Sequence, residues 1–198
     1  MEYFLLVFLM FLRFGGLFVI FPLFIMARIP VKLRVALALM IGVVMAGNIT
    51  VTPDWRAIGM GDMVRIVFFE LTTGILLGLV CRMVFYALEI AGLRISTDSG
   101  LFITMNFSGM EGIPQQAPSI VLFLLGSILM VAMDIHYFII ESVQLGYQFL
   151  PIGGGVFHGG LINHIGELIG KVFLMGILIS APVMATGFLV NFIMALMG

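Results

Sequence analysis

The residue pattern predicts an all-α integral membrane protein, and three observations carry that expectation. Of 198 residues, 62% are hydrophobic and only 10% are charged, whereas soluble domains carry about 25% charged residues. Apolar runs of roughly 20 residues, the length that crosses a bilayer as a helix, recur along the chain. No segment alternates apolar and polar residues as a half-buried strand would. A surface so poor in polar groups has to be covered by lipid or by other subunits.

The same composition excludes several function classes. A net charge of −1 leaves no basic footprint for nucleic acid and no acidic tail. The lone cysteine, Cys81, sits in an apolar run. It excludes an intrachain disulfide framework and most zinc motifs. Nineteen Phe, sixteen Met and twenty-four Gly suit a membrane bundle, where glycine is commoner than in soluble helices.

The first apolar run, residues 3–27, contains Arg13 and Pro22. Glu2 is acidic where a signal peptide would be basic, and the run has no small-residue cleavage pattern. It is therefore expected to be a retained first membrane helix. Residues 28–34 form a short linker holding three of the nine basic residues. The positive-inside rule places that linker on the cytoplasmic side. A second helix is expected over residues 35–51, then a polar loop over 48–62 with Trp55 as an interfacial anchor. The third helix opens at Asp62, a good N-cap, and stays apolar to about Ala91. Continuation through the more polar 92–104 would make it longer than one crossing requires.

Residues 105–118, reading MNFSGMEGIPQQAP, break the pattern and are expected to form a loop between apolar helices. Residues 120–133 are too short to span alone, and Asp134 and His136 separate them from the next apolar stretch, 137–149. A helical hairpin turning at Asp134–His136 is the simpler reading, with one continuous helix as the alternative. Residues 151–155 (PIGGG) end that element, and residues 161–197 form the last, with a kink expected at Pro182.

Charges within apolar helices are costly and face a partner or a wet cavity. Arg13, Glu70, Arg82, Glu89 and Glu141 are such charges. Arg82 and Glu89 share a helix face but are too far apart for a clean local pair. Together with Arg94 and Asp98, which are spaced to pair locally, they are expected to form a polar stripe facing a pore or another subunit. Gly74 with Gly78, and Gly166 with Gly170, match the GxxxG pattern of closely packed helices.

Catalytic patterns are sparse. Gly59-Met60-Gly61-Asp62 matches the GxGD pattern of intramembrane aspartyl proteases. Such enzymes need a second aspartate so that two carboxylates share a proton, and Asp98 and Asp134 are the candidates. An Asp at a helix start is equally expected as a cap. Ser99-Gly100 and Ser108-Gly109 lack the nucleophile-elbow frame. His136, His158 and His164, with Glu167, fit no standard zinc spacing. Neither enzymatic activity nor a cofactor or metal is expected.

Three ordered signals carry a family resemblance. After Pro22 comes ARIPVKLRVALA over residues 27–38, later the Asp134-Ile-His136 turn, and then QFLPIGG over 148–154. This set resembles the FliR family of the flagellar type III export apparatus, with its P-x-x-x-K/R turn, D/N-x-H turn and LPIG segment. The resemblance implies a single-copy subunit of an export gate in the bacterial inner (cytoplasmic) membrane, at the flagellar basal body. It would complete a channel with FliP-like and FliQ-like subunits through which unfolded flagellar proteins pass. FlhB would contact it, FlhA would lie nearby, and FliE and rod proteins would meet its distal end. Some apolar runs would then pack on those subunits rather than on lipid. The injectisome counterpart, the SctT-type protein, shares these features and stands as an alternative. Family members carry further hydrophobic segments, so the expectation is a single helical export-gate domain over 1–198 that lacks the family's C-terminal segments.

The resemblance also implies a plug that blocks the closed pore. By position it is Met105, Asn106, Phe107, Ser108, Gly109, Met110, Glu111, Gly112, Ile113 and Pro114. Irregular backbone at membrane depth is tolerated only where protein buries it or it lines a cavity. Met105 and Met110 offer unbranched side chains that can seal an irregular gap, and Phe107 and Ile113 add apolar bulk.

Overall fold

A computed structural model describes residues 2–26, 29–47, 59–99, 104–105, 115–149, 152 and 161–197. In chain order the elements are α1 (Glu2–Ile20), α2 (Pro22–Met26), α3 (Val31–Ala46), α4 (Met60–Ser99), β1 (Thr104–Met105), β2 (Gln115–Gln116), α5 (Ala117–Ala132), α6 (Ile135–Phe149) and α7 (Leu161–Met197). The protein is an all-α integral membrane protein. Among the described residues three helices, α1, α4 and α7, are long and apolar enough to cross a bilayer, and the broken pair α5–α6 passes the same test together.

The chain forms two compact units. The first comprises Met1–Arg82 and Asp134–Leu161, the second Met83–Met133 and Ile162–Gly198. In the first, Leu6, Leu9, Met10, Arg13, Phe14 and Leu17 are all buried. Their three- and four-residue spacing makes one helix face of α1. Phe18, Phe21 and Phe24 extend that core as edge-to-face rings, with Phe18 and Phe24 centroids 4.9 Å apart. On α3 the buried residues are Ala38, Gly42 and Ala46. A Cβ at Gly42 would stand 3.2 Å from the Phe11 amide nitrogen. A stripe of small residues every fourth position thus brings the backbones of α1 and α3 together. A search for paired glycines alone misses it, because two of its three members are alanine.

α3 begins at Val31, so Lys32 and Arg34 belong to its first turn rather than to a linker. Pro30 precedes it, where a missing N–H has no helical partner to lose. Arg34 reaches back, donating from Nε to the Ile29 carbonyl at 2.9 Å and from Nη2 to the Phe24 carbonyl at 2.9 Å. The Phe24 carbonyl in the last turn of α2 and the Ile29 carbonyl just before Pro30 both accept from this guanidinium, which ties the end of α2 to the start of α3. That gives the Pro-x-x-x-Arg spacing a physical reason.

α4 begins at Met60, and Asp62 lies inside its first turn rather than capping it. An acidic side chain there still complements the helix dipole, and Asp62 also faces Arg65 at 3.7 Å on the surface. The helix continues through the polar stretch to Ser99.

In the second unit α5 and α7 pack on the later part of α4. Gly92 lies against the backbone of Ser119, whose hydroxyl donates to the Glu89 carbonyl at 3.3 Å. Phe85 and Phe123 rings sit 4.8 Å apart. On α7, a Cβ at Gly176 would stand 3.1 Å from the Ala87 carbonyl. α7 runs as one helix through Pro182. Ser180 donates to the Gly176 and Ile177 carbonyls, and Thr186 to those of Pro182 and Val183. These are hydroxyl back-bonds to carbonyls on either side of that of Leu178, the one that Pro182 deprives of its helical donor.

Between α5 and α6 the helix breaks. Met133 still donates to the Leu129 carbonyl, while Asp134 takes φ 55°, the only positive φ outside glycine among the described residues. His136 lies within α6, so the turn needs Asp134 alone. Aspartate and asparagine tolerate the left-handed region best among residues with a side chain, which accounts for a D/N preference there. Replacing Asp134 with Asn is expected to leave thermal unfolding in detergent unchanged. Asp134→Val should cost on the order of 1–2 kcal/mol.

Between α4 and α5 stands a feature with no strand periodicity in its sequence. Thr104 pairs with Gln116 and Met105 with Gln115 in an antiparallel ladder. α5 begins at Ala117, so Ala117 and Pro118 are helical, with the proline in the first turn where it fits. Residues 106–114 lie outside the described residues.

Candidate functional site

The most concentrated polar structure is buried in the first unit. Four positions on α4, Ile66, Glu70, Gly74 and Gly78, are spaced by four and line one side of the helix, and all four are buried. They form a ridge along one helix face. A Cβ at Gly74 would overlap the Arg13 carbonyl, and one at Gly78 would stand 2.8 Å from that of Leu17. From the other side, a Cβ at Gly16 would lie 2.8 Å from the Leu71 carbonyl. Glycine on both helices therefore sets the approach of α1 to α4.

One turn from Gly74, the Arg13 guanidinium meets the Glu70 carboxylate. Nε donates to Oε2 at 2.7 Å and Nη2 to Oε1 at 3.0 Å. Both side chains are 1% exposed. This is the parallel two-bond geometry that makes Arg–carboxylate pairs strong and directional. Tyr147 on α6 closes the cluster. Its hydroxyl donates to Glu70 Oε2 at 3.4 Å, and its ring lies 3.6 Å from the Arg13 Cζ. The ring face stabilises the cation from a side that offers no hydrogen bond. Arg13 Nη1 is buried without a hydrogen-bond partner. Three helices are thus held in register by one ionic clasp.

The sequence marked Arg13 and Glu70 as charges needing partners but did not pair them, and it gave no role to Tyr147. The available signal was one cation and one anion on separate apolar helices, with a tyrosine on a third.

The other candidate residues lie apart from this clasp. Gly166 and Gly170 are exposed, and a Cβ at either would meet nothing within 4 Å among the described residues. Arg82 and Glu89 lie on α4, each engaged in an interaction. Arg94 and Asp98 approach at 3.9 Å, a loose pair one helical turn apart, and Asp98 Oδ2 has no hydrogen-bond partner. Glu141 is exposed. His136 packs on the Tyr137 ring at 4.5 Å, with Nδ1 unpartnered. Met105 belongs to the short ladder, while Asn106, Phe107, Ser108, Gly109, Met110, Glu111, Gly112, Ile113 and Pro114 lie outside the described residues, as do Trp55 and His158. Asp62 and Asp98 occupy the first and last turns of α4, each beside an arginine of that helix. Among the described residues no group of three His, Cys, Asp or Glu could hold a metal ion.

Long apolar helices, joined by glycine contacts and an internal ion pair, define a helical membrane protein whose buried charges serve packing. Residues 4–198 match the family described as bacterial export proteins, family 1, and the chain belongs to it. It is 26% identical over 191 residues to the flagellar biosynthetic protein FliR of Caulobacter vibrioides, covering 96% of this chain and 76% of that protein. To the FliR of Bacillus subtilis it is 23% identical over 186 residues, covering 92% and 71% respectively. To that of Buchnera aphidicola it is 23% identical over 128 residues, covering 65% and 50%. The family is one of export proteins rather than of enzymes.

Proposed function

We propose that this chain is the FliR-type subunit of a flagellar type III export gate. In this reading it completes a channel with FliP-like and FliQ-like subunits, and unfolded flagellar proteins pass through that channel. The gate sits in the bacterial inner membrane at the flagellar basal body. FlhB contacts it, FlhA lies nearby, and FliE and rod proteins meet its distal end. The observation that carries the reading is the family match over residues 4–198, together with relatives named flagellar biosynthetic protein FliR. Those names favour the flagellar system over its injectisome counterpart.

Geometry supports the reading in two ways. Large apolar side chains stand exposed along α7, among them Phe188, Phe192 and Met194, on the same helix as the uncovered Gly166 and Gly170. That surface suits neighbouring helices or lipid. In addition, the ladder of Thr104–Met105 with Gln115–Gln116 brings the two ends of residues 106–114 together. A loop tied at its base suits the proposed plug, Met105 to Pro114, and the stripe Arg82, Glu89, Arg94 and Asp98 is proposed to face the pore or a partner subunit.

The test is purification of the tagged chain from its native cells in mild detergent, with mass spectrometry of what accompanies it. FliP-like and FliQ-like proteins in a defined complex would support the assignment. Recovery of the chain alone would overturn it. For the plug, deleting residues 106–114 while keeping both short strands is expected to make the membrane leak small ions. An unchanged leak would remove the plug from the proposal.

A further inference from the structure

A groove of about 360 Å³ opens on the first unit, lined by residues of α1, α3 and α4. Its volume falls within the range of ligand sites, roughly 300–1,000 Å³. Gly15 and Gly16 contribute no side chains to it, and Phe11, Val19, Val35 and Leu71 are among its apolar walls. Along α1 it extends from Phe11 to Val19, about 12 Å at the helical rise. Among the described residues the lining contains a single charged residue, Arg34, in the first turn of α3. Two nitrogens of that guanidinium are held by the carbonyls of Phe24 and Ile29, which fixes its positive charge at the groove.

An apolar slot with fixed positive charge at one end selects an amphiphile with a negative head. A polar metabolite would leave its groups unpaired along the apolar walls. We infer that this groove binds one acyl chain of an anionic phospholipid, with the phosphate at Arg34. The inference rests on the membrane fold of the first unit and stands independently of the export-gate assignment.

Gly15 provides the test. A Cβ there meets nothing within 4 Å, so Gly15→Leu fills the groove without pushing helices apart. Val35→Phe narrows the same groove from α3. The full chain, purified in mild detergent with whatever subunits it retains, is exposed to phosphatidylglycerol or phosphatidylcholine in mixed micelles and weighed by native mass spectrometry. The wild type is expected to retain phosphatidylglycerol several-fold over phosphatidylcholine. Gly15→Leu and Val35→Phe should lose both lipids at an unchanged thermal midpoint, and Arg34→Gln should lower the preference for phosphatidylglycerol. Equal retention of the two lipids, or undiminished retention in both groove-filling variants, would overturn the inference. So would a photo-crosslink from Val19 to a protein helix instead of lipid.

Discussion

Glu70→Ala is expected to destabilise the first unit by about 3–5 kcal/mol, the usual cost of removing one partner from a buried ion pair. The Arg13 guanidinium, 1% exposed in the intact pair, would be left buried with the Tyr147 ring beside it. Arginine cannot shed its proton to escape that burial. The reverse change, Arg13→Met, should cost less, because a carboxyl left behind can take up a proton and become neutral. The double variant Arg13→Met with Glu70→Leu should recover most of the loss, since apolar replacements of similar volume are often neutral or better. Thermal unfolding in detergent, with the amount of protein accumulated in membranes as a second readout, measures all three. If the double variant proved as unstable as Glu70→Ala, the clasp would owe its effect to shape rather than charge. Tyr147→Phe tests the third member. It keeps the ring under the guanidinium and removes a long hydrogen bond of 3.4 Å, so its effect should be small.

Gly74→Ala should produce the second large effect. The added methyl would overlap the Arg13 carbonyl, and the atom it meets is backbone, which cannot rotate away. Overpacking of this kind costs about 1–3 kcal/mol, occasionally more. Here it also pulls on the ion pair one turn away, so Gly74→Ala and Glu70→Ala should not add, as expected for neighbours that share partners. Gly166→Ala makes the contrast. With nothing within 4 Å of its added Cβ among the described residues, it should gain up to about 1 kcal/mol of helix stability. Equal destabilisation by Gly74→Ala and Gly166→Ala would refute the packing argument.

The comparison between these two glycine pairs illustrates how much was legible beforehand. Both GxxxG patterns are equally visible in the sequence. Only the three-dimensional structure separates them, because a spacing of four defines a helix face and says nothing about what lies opposite. Element boundaries behaved similarly. Lys32 and Arg34, Asp62, and Pro118 each sit in a first helical turn, although each also fits a linker, a cap or a loop. A helix's first turn has amide groups without helical partners, so it accepts prolines and charges that would be excluded further in. The ladder at residues 104–105 and 115–116 was not legible at all, since two residues are too few to set up an alternating pattern.

Sequence alone determined the membrane character and the all-α class, because mean composition and the length of apolar runs decide which solvent a segment tolerates and whether its backbone can be satisfied there. It also determined that Arg13 and Glu70 required partners, since an isolated charge in an apolar helix is costly. Which partners they found was decided by tertiary structure. The pairing depends on the register of α1 against α4, and that register is set by glycines and carbonyls meeting across helices distant in sequence. Tyr147 joins the pair from α6, and no local pattern within any one of the three helices encodes that meeting.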